Sequence, residues 1–333
     1  MFLNHVCFES ILEPERIIIP SEIYKRIKVI KVIKDETLGY RESIERKQDI
    51  QKDKAIFIVN PLDSAWVDAM VIDNELFVIE SLFPKLNLNG KKVYEQGDLN
   101  RSNLDTILLF EKHRFMNEAR KQFKVAKKHA KNIASIMDHA TQYDQLNQFL
   151  NHLSVQLFKN EQVVETKEIF LSSCQYGTLL QPALDPLFMI RNIRHFIILK
   201  GTNQQSISTC LHQLKKVAMI EEHAPISYYC PFYTEDIDML YLPKMKIAIL
   251  DGMSPHRFEP IHPKDKIYNL DYIVMDQEKR LEHISDLNEY MKCYHHYMNK
   301  GYYALHQAKY YQNQLLAFSS HKDQILHYVD ENK

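Results

Sequence analysis

Residues 195–209 read HFIILKGTNQQSIST, and the rest of the chain is organised around them. The apolar run FIIL passes through Lys200 into Gly201 and then into a polar stretch suited to a helix start. Strand, glycine turn and helix N-terminus make a phosphate-binding loop when the turn reads glycine, any four residues, glycine, lysine, then serine or threonine. Backbone N–H groups and one ammonium then surround the phosphates. Here Gly201 is followed by four residues and then by Ser206, Ile207, Ser208 and Thr209, so Ser206 replaces the second glycine and Ile207 the lysine. The frame of the loop is kept and its charge is missing.

The surrounding chain has 333 residues and 45% hydrophobic content, enough for two domains with well-buried cores. With 42 basic and 43 acidic residues it carries no global field that would gather nucleic acid or an anionic membrane. Cys7, Cys174, Cys210, Cys230 and Cys293 are scattered without a C-x-x-C pair, which fits buried thiols in a reducing compartment. The N-terminus, MFLNHVCFESILEPER, lacks the basic start and long apolar run of a signal peptide, and no segment reaches the ~18 apolar residues of a membrane span. The expectation is a cytoplasmic protein without membrane contact. Seven glycines are few for an enzyme whose loops wrap phosphates closely.

Self-similarity extends the reading to the whole chain. Residues 60–84, NPLDSAWVDAMVIDNELFVIESLFP, align with residues 230–255, CPFYTEDIDMLYLPKMKIAILDGMSP. Asp68 and Asp238 lie eight residues into each segment. Pro84 matches Pro255, Asp98-Leu99 matches Asn269-Leu270, and Asp105 matches Asp276, each 171 residues apart. This spacing predicts a tandem duplication with halves 1–165 and 166–333, the boundary falling in the polar stretch 160–167. Strands are expected at 27–32, 55–59, 76–79 and 92–94, and again at 196–200, 226–230, 246–250 and 266–268. Apolar runs such as FIIL and IAIL suit strands buried on both faces of a parallel sheet, so each half is expected to be a three-layer αβα unit.

Each half then ends in a long helix. Ala119, Phe123, Ala126, Ala130, Ile133, Met137 and Ala140 make a narrow apolar seam, which Tyr294, Tyr297, Gly301, Ala304 and Ala308 repeat. Tyr143, Leu146, Leu150, Leu153 and Leu157 continue helically, so the first long helix is expected to fold back as a projecting hairpin, with a shorter return arm at 315–329 in the second half.

A phosphate site also needs a hydroxyl and a carboxylate for magnesium. Ser208 stands where that hydroxyl belongs and Asp251, ending KIAILD, where the water-bridging carboxylate would be. Asp236, Asp238 and His256 are candidates to join Asp251 at the carboxyl edge of the sheet, where doubly wound folds bind ligands, or else are turn chemistry. In the first half residues 34–47, KDETLGYRESIERK, offer Gly39 as sole glycine and acidic residues where phosphates would lie, and Glu80 replaces Asp251. The ladder Lys121, Lys124, Lys128, Lys131 reads as a solvated helix flank before it reads as a phosphate-backbone contact. His295-His296 face two directions on a helix, which argues against a shared metal.

These residues carry a resemblance. The repeat resembles a bacterial family of tandem P-loop ATPases, sometimes labelled nucleotide-kinase-like, in which each half has a strand, G-G-P-G-T-G-K-S-T, a segment like C-S-S-D-P-D-S-L-D-G, and I-V-D-G-T-A-P-H. This chain has FIILKGTNQQSIST, CPFYTEDIDMLYLP and KIAILDGMSPH in the same order. The resemblance implies two tandem P-loop NTPase-like domains and nucleotide binding. The departures at Ser206 and Ile207, and throughout the first loop, imply a vestigial site at Gly201, Ser206, Ile207, Ser208, Thr209 and Asp251, without hydrolysis and with at most weak magnesium–ATP binding through Ser208 and Asp251. No catalytic residue is assigned. The expected role is that of a binding or scaffold protein, meeting a protein partner or a second copy through the helical hairpins. The alternative is an active ATPase or small-molecule or nucleotide kinase that uses Lys200, or a lysine from elsewhere in the chain, in place of the missing lysine.

Overall fold

The computed structural model describes residues 5–6, 25, 27–34, 39–40, 56–59, 66–72, 74–79, 92–96, 103–158, 173–174, 193–223, 225–230, 236–253 and 258–318. The chain forms two compact units, the first made of Met1–Lys121, Cys174–Leu180 and Lys300–Lys333, the second of Gln122–Ser173 and Gln181–Asn299. The expected boundary in 160–167 lies outside the described residues.

In the first unit β1 (His5–Val6), β2 (Val29–Ile33), β3 (Gly39–Tyr40), β4 (Ile56–Val59), β5 (Trp66–Ile72), β6 (Glu75–Ile79) and β7 (Lys92–Gln96) form one sheet, ordered β1-β4-β5-β6-β2-β7 with β3 beside β5. The helices α1 (Asn103–Ala140) and α2 (Tyr143–Phe158) follow. After β8 (Ser173–Cys174) come β9 (His195–Lys200), α3 (Gln204–Ile220), β10 (Ile226–Tyr229), β11 (Ile237–Leu242), β12 (Ile247–Asp251) and β13 (Lys266–Asn269). The second sheet is ordered β13-β9-β12-β11-β10-β8. The chain then runs through α4 (Leu270–Ile273), α5 (Gln277–Glu282) and α6 (Ile284–Phe318).

Both sheets are mixed, which overturns the expected pair of parallel three-layer P-loop domains. β2 runs parallel to β6 and β7, and β9 to β12 and β13. The strands β4-β5-β6 and β10-β11-β12 are antiparallel meanders. Link length explains the difference. A parallel crossover needs a dozen residues or more, whereas an antiparallel return can be a tight turn. Two residues separate Ile72 from Glu75, with Asn74 at φ 73°, and four separate Leu242 from Ile247, with Lys246 at φ 58°. The strands β5 and β11, hidden between the expected ones, are what these short links join.

The expected αβα layering also fails on the second sheet. One face is covered by helix, where Ile197, Leu199 and Ile249 share a core cluster with Leu211 and Leu214 of α3. On the other face Phe196 meets Phe258 at 4.9 Å and stacks on His262 at 6.0 Å. The bend carrying these two rings is held by Asp265, whose carboxylate accepts the N–H groups of Phe196, Ile261 and His262, each at 2.7 Å.

The projecting hairpins are corrected as well. Leu146, Leu150, Leu153, Leu157 and Phe158 of α2 are buried in the second unit's core against α3, not along α1. Phe149 meets Tyr268 at 5.3 Å, and Phe158 meets His223 at 5.2 Å. The seam of α1 faces α6 instead. In the first unit Phe115 stacks on Tyr311 at 5.7 Å. In the second, Ile133, Met137 and Ala140 pack with Met275 and Leu287, and His129 stacks on Tyr297 at 5.7 Å. Backbone bonds pin the end of α1 there: Gln142 N–H donates to the Val274 carbonyl and Asp276 N–H to that of Ala140, at 2.7 and 2.8 Å. Among the described residues no helix is long and apolar enough to cross a membrane.

Candidate functional site

Strand β9 ends at Lys200, and Gly201 turns the chain toward α3. A Cβ at Gly201 would lie 3.2 Å from Leu270 Cβ and 3.3 Å from Asp271 Oδ1, so the absent side chain lets α4 close on the turn. Asp271 then takes the turn's donors. Thr202 N–H donates to Asp271 Oδ1 at 2.8 Å, and the Thr202 hydroxyl donates to Oδ2 of the same carboxylate. Asn203 caps the helix, accepting from Gln205 N–H at 3.1 Å through its side chain and from Ile207 N–H at 3.3 Å through its carbonyl. Its amide donates to Thr141 Oγ1 at 3.1 Å, and Thr141 donates to the Met137 carbonyl at 2.8 Å. A carboxylate of the chain itself thus occupies N–H and O–H donors that a bound phosphate would use.

The vestigial-loop residues take ordinary structural places. Ile207 is 1% exposed, in the core with Leu211, Leu240 and Ile249. Ser206 is buried, its hydroxyl meeting no hydrogen-bond partner among the described residues. Ser208 donates to Asp236 Oδ1 at 3.2 Å and accepts from Ile237 N–H at 3.3 Å, tying α3 to the start of β11. Thr209 is half-buried one residue on. Lys200 pairs with Glu259 at 2.5 Å. Asp251 is buried at the end of β12 and accepts from Met253 N–H at 2.8 Å. Gly252 is required beside it, because a Cβ there would fall 2.3 Å from Ile198 Cγ2.

A cleft of ≈ 580 Å³ opens over this edge of the second sheet. Gly201, Thr202, Asp236 and Asp251 line one side, and α1 residues including Ile133, Ala134 and Asp138 another, with Met291, Tyr294 and His295 of α6. The structure therefore brings Gly201, Asp236 and Asp251 to one cavity. Asp238 is buried on β11 and does not line it. His256 and Glu80 lie outside the described residues, and Gly39 belongs to β3, paired with Val67 rather than forming a loop. Among the described residues no group of three or more His, Cys, Asp or Glu side chains is placed to hold a metal ion.

Burial raises the Asp236 carboxyl above its usual range. The Ser208 hydrogen bond and the charges of His212 and Lys127 oppose this, while Asp238 adds to it. Burial likewise pushes the Cys210 thiol up to about 12, which makes it an inert core group.

Asp271, Thr202 and the α1 and α6 walls were not among the sequence candidates. Asp271 had a local signal: in N-L-D, Asn269 accepts the Asp271 N–H at 3.0 Å as a helix cap, which turns the carboxylate's helix toward the loop. The walls had none, since Lys131 read as part of a solvated helix flank and His295 as one of two histidines facing different directions on a helix. Comparison of the chain with protein-family models, with curated proteins and with solved structures finds no match.

Proposed function

We propose that this chain is a binding protein that does not hydrolyse nucleotides, with its ligand site in the cleft of the second unit. One observation carries the reading: Asp271 accepts both donors of Thr202 at the turn where phosphate oxygens would have to sit. A carboxylate there repels phosphate, and displacing it strands a part-buried charge. Ile207 adds no cation from the core, and Lys200 is engaged by Glu259, which leaves the kinase alternative to a lysine from elsewhere in the chain. Stabilisation of developing charge usually contributes most to such catalysis, so its loss removes turnover before it removes all binding. Residual magnesium–ATP binding, and a protein partner or second copy, belong to the same reading as further ligands. Scattered thiols, two of them buried, support a cytoplasmic setting.

The test is phosphate release from ATP and GTP by the full chain, expected to equal the protein-free control. A rate that disappears in Asp251→Asn would overturn the proposal in favour of an unorthodox ATPase or kinase.

A further inference from the structure

The ≈ 580 Å³ cleft falls within the range of ordinary small-molecule sites, and its walls follow their pattern of apolar surface with a few placed polar groups. Ile133, Ala134, Met253, Met291 and Tyr294 present methyl, thioether and ring surface. Three carboxylates, Asp138, Asp236 and Asp251, line it, against Lys131 and His295 as its basic side chains. Lys131 is exposed, whereas Asp251 is buried and Asp236 half-buried. Carboxylates thus outnumber the basic side chains on the lining, with His295 half-buried among them, and the turn that could have welcomed an anion is closed by Asp271.

We infer that the cleft binds a compact organic cation, a primary or secondary amine on an apolar or aromatic body. The body fills the wall of Met253, Met291 and Tyr294, and the ammonium meets Asp236 and Asp251. Asp236 is already aimed by Ser208 at 3.2 Å and Asp251 by Met253 N–H at 2.8 Å, so both carboxylates are oriented before a ligand arrives. The charges of His212 and Lys127 already act on Asp236, and a ligand ammonium adds a direct charge-assisted hydrogen bond, which in a partly dry site is stronger than one in water. This rests on the reading of the second unit as a binding module and gives that module its ligand class.

The probes are tyramine, its neutral counterpart 4-ethylphenol and its anionic counterpart 4-hydroxyphenylacetate, which differ mainly in the charge of the side arm. Calorimetric titration and thermal melting of the full chain should show tyramine binding, with the other two at least tenfold weaker. Asp236→Asn should weaken tyramine tenfold or more. Ala134→Phe, which fills the cavity and leaves Asp236 and Asp251 in place, should abolish binding while leaving the unliganded melt near wild type. Preference for the anion or for magnesium–ATP overturns the inference, as does tyramine binding unchanged by both variants. Absence of binding by all three probes at millimolar concentration also overturns it, while phosphate release decides the non-hydrolysing reading separately.

Discussion

Ile207 is 1% exposed in a cluster that includes Leu211, Leu240 and Ile249, so an ammonium at this position would enter the core without a partner. Repairing the loop's charge by Ile207→Lys is therefore expected to destabilise the protein by about 3 kcal/mol or more, as an unpaired buried charge does, and not to create a nucleotide site. Ile207→Val should cost only about 1 kcal/mol. Urea denaturation measures both; a stable lysine variant whose melting rises with magnesium–ATP would contradict the placement. Asp265 gives a pH test. Burial works to raise its carboxyl, but N–H donors from His262, Phe196 and Ile261, with the nearby His262 charge, outweigh it and leave it below its usual range. A carboxylate lowered in the folded state stabilises above its unfolded value of about 3.9, and that contribution is lost as pH falls through the folded value. Wild type should thus lose urea resistance below pH 4 more steeply than Asp265→Asn, whose midpoint should already be lower at pH 6; parallel pH profiles would remove Asp265 as a determinant.

At the scale of elements, α2 has the most decisive placement. Leu150 is 3% exposed and Leu153 1%, both in the core shared with α3, while Asn151 beside them is exposed. Leu150→Ala is expected to cost about 2–5 kcal/mol and Asn151→Ala almost nothing, read as melting of the second unit. Equal costs would mean that α2 is not docked. The stripe Leu146, Leu150, Leu153, Leu157 was legible as a helix from its spacing, because four leucines at steps of four, three and four share one face. Its partner was not legible, since an apolar face states that it must be buried and not against what. The same limit explains the sheets. The runs in β9 and β12 announce buried strands and do pair in parallel, but apolar character alone carries no direction. The turns at Asn74 and Lys246 did carry it, in link lengths too short for a crossover. The cleft was legible only on its sheet side, through Gly201, Asp236 and Asp251. Its α1 and α6 walls come from residues about 70 positions before and 40 after Gly201 and Asp251, brought there by packing that no local motif encodes.

For the whole molecule, the compact units meet along the chain inside α1 and α6, at 121/122 and 299/300, and again at 173/174 and 180/181, whereas the repeat suggests a cut between 165 and 166. A fragment of residues 166–333 lacks Leu146, Leu150, Leu153, Leu157 and Phe158, five side chains of the second unit's core. Burial of each contributes about 1.5–3 kcal/mol, so their loss removes roughly 8–15 kcal/mol, comparable with the whole stability of a domain at about 5–15 kcal/mol. Residues 122–333 restore all five, together with Ile133, Met137 and Ala140, which pack with Met275 and Leu287. The fragment 122–333 should melt cooperatively and keep any ligand of the cleft, whose walls include Ile133 and Ala134. The fragment 166–333 should show no cooperative melt and no binding. Circular dichroism melting of the two fragments, with and without tyramine, compares them directly. A sharp melt of 166–333 at the midpoint of the longer fragment would mean that the second half folds without α1 and α2.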